Sequence, residues 1–232
     1  TPLDISKSLD DYQLNLFCCK NDTAEKLMAD NLLVNNPKIA AIKPSQSYDA
    51  FFNDQPFLKD IQKNINQPSD TKGIAFQQAL NAYASSRNSE LSIVDRFQYL
   101  LLAFELVKKI LSSGESKIQR LSTLARISYD IGQRVVGNQI ATYIIDRYIE
   151  KAHTVETINE PFFPSCKEFE TISTDGKLNN WLISSVLDQY IRKHAYSCFF
   201  TEKQLESYFT KLENLGFLNA DMKKRQTVLL AR

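Results

Sequence analysis

The chain has 232 residues with 43% hydrophobic and 24% charged side chains, enough for a sizeable core and ordinary for a soluble globular protein. Its 28 basic and 27 acidic residues leave a net charge of +1, so no bulk field draws it to nucleic acid or to an anionic membrane. With only 6 Gly and 7 Pro it falls well short of the average usage of about 12%, which disfavours turn-rich β folds and favours long helices on short connections.

Residues 12–19, "YQLNLFCC", place Tyr12, Leu14, Leu16 and Cys18 on one side and Gln13, Asn15, Phe17 and Cys19 on the other. That alternation is the period of a strand. A lone strand leaves its backbone groups without neighbours. Downstream, "FETIS" at 169–173 is a weak candidate partner. The segment is therefore expected either to pair with sequence outside this chain or to lie as an extended arm on the helices. "NDTAEKLMADN" follows, with Asp22 and Glu25 at capping-box spacing, and predicts a helix over 22–30. Pro37 and Pro44 punctuate a linker over 31–46. Residues 1–46 thus read as an extended arm and linker, and 47–232 as a helical module.

Within that module short helices are expected at 47–53 and 56–66, the second opened by Pro56. From residue 69 the spacing of apolar residues becomes regular. Helices are predicted over 69–86, starting at Ser69, over 92–112, over 116–131, closed by Gly132, and over 133–152. An irregular loop spans 153–177, and helices follow at 178–197, 201–215 and 219–230. Connections of a few residues between long helices force antiparallel neighbours. The fold class expected is all-α: antiparallel helical hairpins, 69–112 and 116–152, stacked in a solenoid-like, tetratricopeptide-like layer. Leu121, Leu124 and Ala125, with Gly137 and Ala141, loosely fit the tetratricopeptide pattern without its period of roughly 34 residues.

Charged residues on apolar stripes are the candidates for chemistry. Plotted at about 100° per residue, helix 92–112 collects Asp95, Gln98, Glu105, Lys108 and Lys109 on one arc. Arg96 falls outside that arc, among Leu100, Ala103 and Val107, and Arg147 falls beside Val136, Ile140 and Tyr143. Such a charge must reach water or find a carboxylate. Two readings stand side by side: a structural ion pair, or a groove arginine for an acidic ligand or partner. Arg126, four residues before Asp130, is expected to pair with it on a solvated face.

"NEPFFPSC", 159–166, is a stiff loop, because Pro161 and Pro164 hold Glu160 and Phe163 extended. Phe162 or Phe163 is expected to plug the loop onto the helices. The alternative is an aromatic lip for a partner, with Glu160 beside it. His194 and His153 read as a core-edge and a helix-terminal histidine, Trp181 as a core anchor, and "MKKRQ" at 222–226 as a solvated face.

Several machineries are missing. There is no phosphate loop, no G-x-S-x-G, no H-E-x-x-H and no C-x-x-C. The four cysteines show no disulfide framework, which suits a reduced, cytoplasmic setting. No stretch reaches the roughly 18–20 apolar residues of a membrane span, and the N-terminus lacks the basic start and apolar run of a signal peptide. No catalytic, cofactor-binding or metal-ligating residue is assigned, and no cofactor is expected.

"RLSTLARISYDIGQRVVG", "EPFFP", "NNWLISSVLDQY" and "LENLGFLNADMKKRQTVL" together resemble a helical C-terminal region of bacterial multidomain proteins, as in marine cyanobacteria. There it follows an FkbM-type methyltransferase or a glycosyltransferase domain. The resemblance covers residues 70–232. It implies a non-catalytic scaffold or protein-interaction module whose partner is a protein or an upstream domain of the same chain, with "YQLNLFCC" as the end of that domain. The alternative expectation is a stand-alone helical enzyme with a carboxylate and arginine site.

Overall fold

A computed structural model of the chain describes residues 20–30, 32–33, 44, 46–49, 55–65, 68, 70–114, 117–194 and 203–230. The predicted strand over 12–19 and the linker around Pro37 lie outside the described residues. So do Ser69, Cys18, Cys19, Cys198 and the first two residues of the predicted 201–215 helix. Among the described residues the protein is helical, with no strand.

Helix α1, Asn21–Ala29, buries none of its side chains. Of the expected 47–53 helix, Tyr48 and Asp49 are described and helical. The next predicted helix is shorter than expected: α2 covers Leu58–Ile61, and Gln62–Asn64 tighten into a 3-10 turn before Ile65 becomes extended.

Helix α3, Thr71–Ser86, begins where the Asp70 carboxylate accepts the Gly73 N–H at 2.6 Å. That bond satisfies one of the orphan donors of the first turn. Helix α4, Ile93–Ser112, opens the same way, with Ser92 Oγ accepting from Asp95 N–H at 3.1 Å. Together they form the first hairpin. Helix α5, Ile118–Asp130, stops before Gly132, whose φ of +80° lies in the left-handed region where a side chain is costly. Helix α6, Arg134–Ile145, completes the second hairpin. Its last turn widens into a π-helix over Asp146–Glu150, with Lys151 N–H bonded to the Asp146 carbonyl. After the irregular segment come α7, Leu178–His194, α8, Lys203–Leu215, and α9, Ala220–Leu230.

From α3 onward each helix packs on its successor in the chain. Close approach within the second hairpin depends on Gly137, because a Cβ there would sit 2.7 Å from the Tyr129 ring. Ala141, one turn further along α6, is fully buried. Two helices have no solvent face over most of their length: Ile118–Ser128 of α5 and Trp181–Ile191 of α7 are buried throughout.

The core joins these helices through aromatic rings. Trp181 stacks on Phe57 at 4.6 Å between centroids and meets Phe162 and Phe169 edge-on. Its indole N–H donates to the Ile172 carbonyl at 3.0 Å, so the expected core anchor also has its polar handle satisfied. The weak strand candidate at 169–173 is corrected: Lys167–Thr171 form a 3-10 turn, with Phe169 turned into this cluster. No helix among the described residues is long and apolar enough to cross a membrane.

Candidate functional site

Residues 151–177 cross the helices without forming regular structure beyond one 3-10 turn, yet residues 161–166 are wholly buried. A buried irregular backbone must find partners for its N–H and C=O groups. Helix α5 supplies them from hydroxyl side chains. Thr123 Oγ1 accepts from Phe163 N–H at 3.0 Å, and Ser122 Oγ donates to the Phe163 carbonyl at 3.1 Å. Ser165 Oγ donates back to the Ser122 carbonyl, and Arg126 Nη1 donates to the Pro164 carbonyl at 3.2 Å.

Three carboxylates then fix this segment and its neighbours, each clasped by two cations. Glu160 accepts from Arg120 Nε and Nη2, both at 2.7 Å, and from Lys117 Nζ at 2.6 Å. Glu170 receives a forked pair from Arg87, at 2.6 and 3.0 Å, and a contact from Arg126 at 3.1 Å. Asp188, fully buried on α7, is held by Arg192 at 3.0 Å and by Arg225 of α9. Two-pronged arginine contacts of this kind supply the geometry a buried ion pair needs to offset its desolvation.

Arg126 corrects an expectation. It does pair with Asp130, at 3.0 Å, but its side chain is only 3% exposed. The solvated face predicted for it lies under Pro164 and Glu170, because the 153–177 segment covers that side of α5. Burial works against its charge, but Tyr83, Asp130 and Glu170 outweigh that effect and the guanidinium stays ionised. The Tyr83 phenol donates to Asp130 at 2.5 Å, and burial pushes its ionisation far above the usual tyrosine range.

Two recesses open beside these clusters. One, of about 160 Å³, lies by the start of α3, with Tyr48, Asp70, Lys117, Asn159 and Glu160 as polar walls and Phe76, Leu80 and Pro161 as apolar ones. The other, of about 400 Å³, lies where the end of α3, the start of α4 and the end of α5 meet. Arg87, Arg96, Arg126 and Lys167 line it together with Tyr83 and Asp130.

The five sequence candidates do not form one site. Arg96 lines the second recess, where its Nε donates to the Ser86 carbonyl at 3.0 Å. Glu160 lines the first. Arg147 sits elsewhere, bonded to Tyr143 Oη at 2.9 Å and reaching Glu156 at 3.4 Å. The stripe it was placed on is a half-exposed surface, since Tyr143 is 43% exposed. Phe162 and Phe163 are both fully buried, so both plug the loop and neither forms a lip. Phe163 packs edge-on against Tyr83 at 4.4 Å.

The basic tail "MKKRQ" divides. Lys223 and Lys224 face solvent as expected, whereas Met222 is buried and Arg225 reaches Asp188. His194 stacks on Tyr190 at 4.5 Å and is half-buried, and His153 is exposed.

Arg87, Arg120, Glu170 and Asp188 were not singled out by the sequence reading. The signal that bears on them is the paired small hydroxyls, Ser122–Thr123 and Ser184–Ser185, at positions between apolar residues. They mark helices with no side left for solvent, on which any charge must be paired. Among the described residues no group of three or more His, Cys, Asp or Glu side chains is placed to hold a metal ion. No protein-family model, curated protein or solved structure matches the chain.

Proposed function

We propose that this chain is a non-catalytic helical scaffold or protein-interaction module, the C-terminal accessory region of a bacterial glycosyltransferase or methyltransferase acting in the cytoplasm. Its successive hairpins read as a tetratricopeptide-like, solenoid-like layer. Such layers present extended surfaces built from neighbouring repeats. The observation that supports the reading is the pairing of Glu160, Glu170 and Asp188, each with two cations. Charge that clasps one chain segment to another is committed to structure, whereas a catalytic carboxylate needs a face open to substrate.

A transferase domain encoded in the same reading frame supplies the test. Titrated with this chain in an analytical ultracentrifuge, that domain is expected to form a discrete stoichiometric complex. Turnover of S-adenosylmethionine or of a nucleotide sugar by this chain alone, abolished by Glu160→Gln without a fall in melting temperature, overturns the reading.

A further inference from the structure

The recess between the two hairpins carries more positive charge than the described carboxylates beside it balance. On its walls Arg126 is answered by Asp130 at 3.0 Å, and Arg87 and Arg126 share Glu170 behind it. Arg96 and Lys167 remain. Arg96 is anchored by its Nε on the Ser86 carbonyl. Among the described residues no carboxylate lies within ion-pair distance of the Arg96 guanidinium or of the Lys167 ammonium. Among the described residues four cations thus meet two carboxylates around one concavity of about 400 Å³, and Arg96 and Lys167 are the two without a carboxylate.

Arg96 is also the residue whose position on the apolar stripe of α4 lacks a structural reason of the kind that Arg120 and Arg126 have. Those two are matched by carboxylates, and Arg96 is matched by one backbone carbonyl. A guanidinium held by its Nε presents its remaining N–H groups as a fixed fork, the geometry that suits phosphoryl oxygens.

We propose that this recess binds the phosphoryl group of a phosphomonoester, with Arg96 and Lys167 as its ligands and Tyr83 and Leu100 beside the ester carbon. A phosphomonoester carries about −1.5 to −2 charge at neutral pH and so cancels two positive charges, where a carboxylate cancels one. The second ionisation of the phosphate, near pH 6, makes its affinity depend on pH in a way that a carboxylate's does not. The inference does not rest on the scaffold reading, since a small phosphorylated metabolite and a phosphorylated residue of a partner offer the same group.

Isothermal titration of the full chain tests it with two probes, sn-glycerol 3-phosphate and a phosphoserine peptide, each beside its unphosphorylated counterpart. Both phosphorylated probes are expected to bind one per chain and the counterparts not at all, and the tighter of the two assigns the source. Affinity is expected to rise several-fold from about pH 5.5 to 7.5 as the dianion forms. Lys167→Ala, at an exposed position, is expected to weaken binding about tenfold with an unchanged melting temperature, and Arg96→Met at least as much. Lys223→Ala, at an exposed position of α9 that does not line the recess, is the control for general surface charge. The proposal is overturned if neither probe binds at millimolar concentration, if binding ignores pH, or if Lys223→Ala weakens it as much as Lys167→Ala does.

Discussion

Arg120 and Glu160, forty residues apart in sequence, meet in a two-pronged ion pair in which both N–O distances are 2.7 Å and the arginine side chain is 1% exposed. The pair fastens the irregular 153–177 segment to the most buried helix of the fold. Arg120 also lies over the Phe76 ring at 5.3 Å, so its plane is held from two sides. Lysine keeps the charge but loses the fork and the stacking plane. Arg120→Lys is expected to cost about 2 kcal/mol and Arg120→Met about 3 kcal/mol, the latter leaving Glu160 with Lys117 alone. Chemical denaturation monitored by the single tryptophan, Trp181, reads both values, and equal stability of all three proteins refutes the assignment.

Gly137 sets the spacing of the second hairpin. An added Cβ meets the Tyr129 ring at 2.7 Å, and that ring is not free to swing away because its hydroxyl donates to Asn138 Oδ1 at 2.9 Å. Gly137→Ala gains helix propensity of about 1 kcal/mol but forces α5 and α6 apart, for a net loss of about 1–2 kcal/mol. In a Tyr129→Leu background the same change is expected to become neutral or stabilising. A double-mutant cycle by thermal melting checks the change of sign.

Asp70 makes the start of α3 sensitive to acid. The Gly73 N–H bonded to its carboxylate, followed by the attraction of Arg120, Lys117 and Lys72, holds its ionisation below the ordinary value of 3.8. A group whose folded pKa is depressed stabilises the fold above its unfolded pKa and loses that contribution as pH falls through the folded one. Native protein is therefore expected to lose stability relative to Asp70→Asn as pH falls below about 4. Melting curves of the two proteins collected across that window should converge. Parallel curves show that the carboxylate's charge has no part in capping.

The α7–α9 contact turns on Asp188, which has no exposure and two arginine partners. Cys166 lies against it, with Sγ 3.2 Å from its carboxylate. Burial, then the charges of Asp188 and Glu168, pushes the thiol well above the usual cysteine range, so it stays protonated and unreactive. Alkylation mapped by mass spectrometry is expected to label Cys166 only under unfolding conditions. Asp188→Asn is expected to cost about 3 kcal/mol, the lower end for a broken buried pair because both arginines reach water. It should make Cys166 labelling measurable in native buffer. Native labelling of Cys166 as fast as that of a free thiol contradicts this arrangement.

Ala152 ends the α6 extension with φ of +50°, the left-handed region that costs a residue with a Cβ about 1 kcal/mol. It is exposed, so removing the methyl group sacrifices little packing. Ala152→Gly is expected to raise stability by about 0.5–1 kcal/mol, or roughly 2–3 °C in melting temperature. A fall in the melting temperature counts against the left-handed assignment.

Most helices and some of their ends were legible because their causes are local, whereas the capping box read at Asp22 and Glu25 does not form: α1 starts at Asn21 after Lys20, with no side-chain cap. Ser92 with Asp95 and Gly132 after Asp130 are capping chemistry, which acts within four residues and can be read along the chain. The 56–66 helix was overextended because Pro56 signals a start, and no local rule marked the early stop before Pro68. The 3.6-residue period placed Arg96 on an inner stripe correctly, and it lines a recess there. The same period misplaced Arg126, since a helix covered on every side has no outer face to identify.

Local rules alone were enough to read helical hairpins from residue 70 onward, a stiff Pro-Phe-Phe-Pro loop and a tryptophan anchor, because periodicity, capping and proline restriction operate over a few residues. Which charges pair was decided by tertiary structure alone. Arg87 and Glu170 are 83 residues apart and Asp188 and Arg225 are 37 apart. A carboxylate carries no mark of its partner until packing excludes water and leaves it one way to be neutralised.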